Sequence, residues 1–141
     1  MTIVDRKTKL TFLHKLSGAK ADETASAMIE KLSPIKDFVH TITTDNGKEF
    51  AHHEVVGAKL DAQFFFAQPY HSWERGVNEN TNGLIRQYFP KGMDFSMISD
   101  QQVLEVEAKL NNRPRKTLGY QTPLEEFLRL TGMELSYALQ S

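Results

Sequence analysis

The sequence predicts an α/β domain with a mixed sheet, and three observations predict it. All the β-rich runs lie in the first half of the chain, and the second half reads as helices only. The first two runs are joined by a short polar turn, which makes an antiparallel hairpin. The later runs are separated by helical stretches, which serve as crossovers and make parallel pairs.

Each element follows from its residues. Thr2-Ile3-Val4 are β-formers, Lys7-Thr8-Lys9 is the polar turn, and Leu10 to Leu16 with Phe12 and Leu13 is the return strand. Asp22 or a neighbour caps a helix whose apolar positions 25, 28, 29 and 32 recur at helical spacing, and Pro34 closes it. Phe38 to Thr44 is rich in β-branched residues and ends at Asp45-Asn46-Gly47, a strand end followed by a turn. His52 to Leu60 reads as a shorter helix weakened at Gly57, and Ala62 to Ala67 as a buried strand. Tyr70 to Gly76 is polar and irregular. A helix from about Val77 to Tyr88 stops before Pro90. Another follows Ser99-Asp100 and ends at Asn111-Asn112, and the Thr122-Pro123 pair opens the last.

Composition sets the outer bounds. With 141 residues, 40% hydrophobic and 25% charged, the chain suits one soluble globular domain. It has no cysteine, which excludes a disulfide scaffold and a thiolate zinc site and fits a reducing cytoplasm. The longest apolar run, around Phe64-Phe65-Phe66, is far short of the roughly 20 residues that span a bilayer, so no membrane is expected. The N-terminus lacks the layout of a secretory signal. Net charge is −1, so total charge gives no argument for a nucleic-acid partner. Locally, however, Lys109, Arg113, Arg115 and Lys116 fall in a stretch to Leu124 without an acid, which suits phosphate contact or a solvated face.

Two carboxylates stand out by position. Asp45 ends a predicted strand, where open α/β sheets place ligands. Glu79 lies in the first turn of a helix after an irregular loop. Together they match what a hard divalent cation takes from a protein. Taken singly, Asp-Asn-Gly also reads as a plain turn, and a first-turn Glu as a solvated residue favoured by the helix dipole. Asn82 and Arg86 follow Glu79 by three and seven residues on the same helix face, and an amide and a guanidinium hold phosphate well. The loop Tyr70-His71-Ser72-Trp73-Glu74-Arg75-Gly76 concentrates aromatic and cationic groups of the kind that grip a nucleic-acid strand, or else packs its Trp as an anchor. His71 has no partner at metal-ligand spacing.

Several motifs in order carry a resemblance. Thr44-Asp45-Asn46-Gly47-Lys48-Glu49-Phe50, then Pro69 to Gly76, then Asn78-Glu79-Asn80-Thr81-Asn82-Gly83-Leu84-Ile85-Arg86-Gln87-Tyr88 through Gly92 closely resemble the integrase-type core of bacterial insertion-sequence transposases. The insertion-sequence family numbered thirty is nearest, and retroviral integrase cores are related. Leu110 to Tyr120 with Thr122-Pro123 also matches, so the resemblance runs from about Thr2 to Phe127.

The resemblance implies a ribonuclease-H-like fold, with a catalytic core over residues 1–130 and a tail at 131–141. It implies an Asp-Asp-Glu triad holding two Mg²⁺ or Mn²⁺ ions, nicking at transposon ends, and attack of the freed 3′-hydroxyl on target DNA in a bacterial cytoplasm. Asp45 matches the second acid and Glu79 the third, which makes both the catalytic and metal-binding candidates. Asn46, Lys48, Trp73, Arg75, Asn82, Arg86 and Lys91 are the candidates for holding DNA.

The family's first Asp sits on an opening strand upstream of the element matched by Thr2-Ile3-Val4-Asp5. That strand, its acid and the usual N-terminal DNA-recognition domain are therefore expected to be missing, and Asp5 matches the end of the second strand instead. One ion or none, and weak or no catalysis by this chain alone, follow from that expectation. Expected partners are DNA and a second copy or a full-length transposase subunit. A catalytically incomplete remnant that binds DNA or such a subunit is the alternative, and a ribonuclease-H-like nuclease of another kind is a third reading.

Overall fold

A computed structural model describes residues 1–18, 20–67 and 76–135, with the side chains of residues 76–80 outside the description. The elements are β1 (Thr2–Val4), β2 (Thr11–Leu13), α1 (Ala21–Leu32), β3 (Thr41–Thr44), α2 (His53–Leu60), β4 (Gln63–Phe66), α3 (Gly76–Ile85), α4 (Asp100–Asn111) and α5 (Pro123–Thr131). The architecture is mixed α/β, but among the described residues the strands form two separate two-stranded sheets, β1 with β2 and β3 with β4, rather than the one mixed sheet expected. The chain divides into two compact units: Met1–Lys15 with Gly76–Ser141, and Leu16–Arg75.

In the first unit β1 and β2 pair antiparallel, with Ile3 opposite Phe12. Asp5 shapes their turn by accepting the Thr8 N–H at 3.0 Å and the Thr8 hydroxyl. The outer edge of β2 is occupied by side chains from α4. The amide of Asn111 accepts the Thr11 N–H and donates to the Thr11 carbonyl, both at 2.8 Å. One helical turn earlier, Glu107 Oε1 accepts the Leu13 N–H at 2.8 Å. The spacing explains why this works. Four helical residues rise about 6 Å, and two strand residues advance about 6.6 Å, so an i, i+4 pair reads alternate strand residues. Leu13, Phe89, Ile98, Val106 and Leu110 form the core of this unit.

Helix starts here follow the sequence closely. Ser99 and Gln102 close a capping box on α4, and Thr122 and Glu125 close one on α5. α3 ends at Ile85 rather than at Tyr88, and the chain leaves it through turns in which the Gln87 and Tyr88 N–H groups bond the carbonyls three residues back.

In the second unit β3 and β4 pair parallel, with Ile42 opposite Phe64. Several expectations shift here. The cap of α1 is Lys20 with no side-chain bond, and Asp22 sits inside the first turn. α1 ends at Leu32, as the expected closure at Pro34 requires, and Pro34 itself stands at the start of a 3-10 segment, Ser33–Phe38, where a missing N–H costs nothing. That segment consumes the residues expected to begin the strand, so β3 covers only Thr41–Thr44. In α2, Gly57 is required. A Cβ there would lie 2.9 Å from the Ala62 carbonyl oxygen, and the Ala62 N–H bonds the Gly57 carbonyl at 2.9 Å. β4 is not the buried strand its apolar run predicts, since Phe65 is 49% exposed and Phe66 36%. No helix among the described residues is long and apolar enough to cross a membrane.

Candidate functional site

Asp45 follows the last residue of β3 and is half-buried. Its Oδ1 accepts the Gly47 N–H at 3.1 Å, an Asx-turn that fixes the carboxylate against the backbone. The Thr44 hydroxyl donates to the Asp45 carbonyl at 2.9 Å, tying the residue to the strand end. Asn46 and Lys48 are exposed on either side of Gly47, and Lys48 opens a 3-10 turn through Phe50. That turn is backed by rings. Phe50 lies 6.4 Å from Phe64, and His53 packs edge-on to Phe66 at 4.9 Å. His53 also approaches the Phe50 carbonyl at 3.2 Å through Nδ1. The aromatic run of β4 therefore supports the segment carrying Asp45, which gives its half-exposed rings a local purpose.

Glu79 lies in α3, in its first turn, and its side chain is outside the described residues. Asn82 is exposed on the same helix, and the Arg86 N–H bonds the Asn82 carbonyl at 3.0 Å just past the helix end. Lys91 is exposed in the following turn. Trp73, Arg75 and His71, with the rest of the loop around them, lie outside the described residues, as do residues 136–141 of the expected tail. Asp45 and Glu79 fall in different compact units. Asp5 is committed to its own turn through Thr8, as described above. Among the described residues no three His, Asp or Glu side chains gather as a metal site.

Comparison with known proteins gives the family context. Over 130 residues the chain is 55% identical to the transposase for insertion sequence element IS4351 of Bacteroides fragilis, covering 92% of this chain and 40% of that protein. It is 41% identical to the transposase InsI for insertion sequence element IS30A of Escherichia coli, over 88% of this chain and 33% of that protein. The homologues of this chain are insertion-sequence transposases. A more distant match, 25% identical over 92% of this chain, is a putative integrase of Spiroplasma virus SpV1-R8A2 B. No family model matches the chain. The chain spans about 40% or less of the length of these transposase relatives.

Two further features stand apart from the acids: a groove that the sequence reading missed, and the surface of the basic stretch, whose partners it did not show. Asp22 Oδ1 and His52 Nε2 lie 2.8 Å apart and border a shallow groove of about 420 Å³ with Ala25, Ser26, Ile29 and Val55. Thirty residues separate the pair in the chain, and no spacing rule connects them. The second is the surface around the basic stretch after α4. Arg113 Nη1 donates to Gln87 Oε1 at 3.0 Å, and Lys109 Nζ sits 5.6 Å from the Tyr88 ring centre. Arg115 turns inward, donating from Nη2 to the Leu110 carbonyl at 2.9 Å. Burial first, and the neighbouring Arg113 charge second, pull its guanidinium below the ordinary arginine value. Of the four cations, Arg115 is thus structural, while Lys109 and Lys116 are exposed and Arg113 is half-buried.

Proposed function

We propose that the chain is a catalytic-core segment of a transposase with a ribonuclease-H-like fold, and that it contributes two of the acids used in metal-dependent DNA strand cleavage and strand transfer. The observation that supports this best is the match of 92% of the chain to a transposase at 55% identity, with Asp45 held at the C-terminal end of a parallel strand. Asp45 and Glu79 are the carboxylates proposed to hold Mg²⁺ or Mn²⁺. Their hard oxygen donors suit these ions, and the Gly47 N–H on Asp45 Oδ1 fixes the carboxylate before any ion arrives. When bound, such ions neutralise charge on the attacking and leaving oxygens of an in-line phosphoryl displacement.

The chain's own groups do the rest of the positioning. Asn46, inside the Asp45 turn, and Lys48, just after it, are proposed to hold phosphate oxygens, and Asn82, Arg86 and Lys91 are proposed to do the same along and after α3. Trp73 and Arg75 are proposed to hold DNA as well. The proposed partners are DNA and a second copy or a longer transposase subunit.

The test is nicking of supercoiled plasmid in Mn²⁺ by the parent, Glu79→Gln and Asp45→Asn. Nicking by the parent that falls at least about tenfold in both variants supports the reading, since phosphoryl transfer rests on positioning and electrostatics. Equal nicking by all three refutes the assigned acids. Salt-sensitive DNA binding without cleavage, unchanged in Glu79→Gln, would make the chain a binding module instead.

A further inference from the structure

We propose that the loop from Arg115 to Gln121 is a docking point for single-stranded nucleic acid, with Tyr120 as the surface on which an unpaired base stacks and Arg113 and Lys116 as phosphate contacts. This rests on the reading of DNA as the partner and adds to it a site that uses neither acid.

The first observation is conformational. Gly119 and Tyr120 are consecutive left-handed residues, with φ of 62° and 66°. Glycine takes that region freely, but a residue with a Cβ does so at a cost, and a bulky one rarely. Such a conformation persists where its surroundings over-determine it. Here they do. Arg115 N–H donates to the Gln121 carbonyl at 3.0 Å, Tyr120 N–H to the Arg115 carbonyl at 2.8 Å, and Leu118 N–H to the same carbonyl at 3.0 Å. The inward Arg115 guanidinium on the Leu110 carbonyl fastens the loop to the end of α4.

The second observation is what this arrangement presents. Tyr120 is 68% exposed. The strained backbone is therefore not repaid by burying the ring, and its effect is to hold an aromatic face out to solvent at low conformational freedom. Gln121 closes the loop, and the chain passes at once into the capped start of α5.

The third is charge. No acid falls between Lys109 and Leu124, and among the described residues none of the four cations there forms an ion pair. Arg113 and Arg115 are close enough to repel each other. Arg113 and Lys116 lie in the same short stretch of chain as Tyr120, and neither is neutralised by an acid among the described residues. An exposed ring next to uncompensated cations is how sequence-tolerant single-strand surfaces are built, since every base offers a π-face and every linkage a phosphate. In a duplex the base faces are already stacked, so the ring selects unpaired nucleotides while the cations serve both forms.

The experiment is fluorescence anisotropy on the whole chain, with labelled oligothymidine of about 16 nucleotides and a duplex of the same length. Tyr120→Gly removes the ring while keeping the left-handed backbone without strain, and Tyr120→Phe keeps the ring. Circular dichroism confirms folding of each. Tyr120→Gly should weaken single-strand binding roughly five- to a hundredfold while Tyr120→Phe stays near the parent. Duplex binding should be unmoved by either. Arg113→Gln with Lys116→Gln should weaken both probes and reduce the salt slope by about one to two. A folded Tyr120→Gly variant with parental single-strand affinity overturns the proposal and leaves the transposase reading intact. Loss of self-association without any change in oligonucleotide binding also overturns it, by making Tyr120 a protein contact. A parent that binds neither probe overturns both readings.

Discussion

Replacing Asn111 by Ala tests the seal that α4 places on β2. Thr11 is fully buried and Asn111 is 1% exposed, so neither partner can turn to water in place. The substitution removes two 2.8 Å hydrogen bonds and orphans both the N–H and the C=O of Thr11. Each orphaned buried group costs about 1–3 kcal/mol, and partial relaxation brings the pair to about 2–5 kcal/mol. That is a large share of the 5–15 kcal/mol that typically holds a domain folded. In urea, with a slope of about 2 kcal/mol per molar, the midpoint should fall by about 1–2.5 M.

Asn111→Asp sharpens the test. A carboxylate still accepts from Thr11 N–H but sets its second oxygen against the Thr11 carbonyl, a repulsion relieved when that oxygen carries a proton. The folded-state pKa of the new acid is thus raised. Its penalty should be full above that raised pKa and shrink as the pH falls through it, so the gap to the parent narrows in acid. An Asn111→Ala midpoint equivalent to less than about 0.5 kcal/mol, the level of an ordinary surface change, would refute the reasoning. So would an Asp penalty independent of pH.

Three further outcomes follow from the same kind of reasoning. Thr122→Ala, which opens the capping box of α5, should cost about 0.5–2 kcal/mol in a thermal melt, whereas Gln121→Ala should cost little. Gly57→Ala, normally a gain in a helix, should instead destabilise by about 1 kcal/mol or more, because its Cβ meets the Ala62 carbonyl oxygen; a stabilised variant would show that this approach relaxes freely. The Ser96 hydroxyl first, and its N–H second, hold the Asp94 carboxyl below its ordinary value. The folded pKa is depressed, so the contribution is present above the unfolded value and lost as the pH falls through the folded one. Asp94→Asn should therefore melt slightly below the parent at neutral pH, and the gap should close as the pH falls through the acid limb.

Elements whose signals are local were legible. Ser99 and Thr122 each announce a helix start, because the cap and its N3 partner lie within one turn. Asp45 is readable as a strand end because Asp-Asn-Gly carries its own turn chemistry. What was not legible depends on distant partners. Glu107 and Asn111 look like solvent-facing polar residues of an amphipathic helix, yet both point inward, because a strand edge nearly a hundred residues earlier offers them backbone groups. Asp22 reads as a helix cap but faces His52 instead. The β4 run is apolar because its alternate rings support the Asp45 segment, and a run of phenylalanines does not say how many of its faces are covered. The left-handed Tyr120 gives no sequence signal beyond the glycine before it.

The seal on β2 has a consequence for the chain while it is being made. Thr11 leaves the ribosome 100 residues ahead of the Asn111 that closes its edge. At about 5–20 residues per second, that interval lasts roughly 5–20 s. During it the hairpin carries unpaired strand groups, and the Leu16–Arg75 unit, whose residues are all contiguous, is synthesised and free to fold. Neighbouring nascent chains on one message expose the same hairpin at the same time, so the period of greatest risk for misassociation lies before α4 exists rather than after the protein is complete.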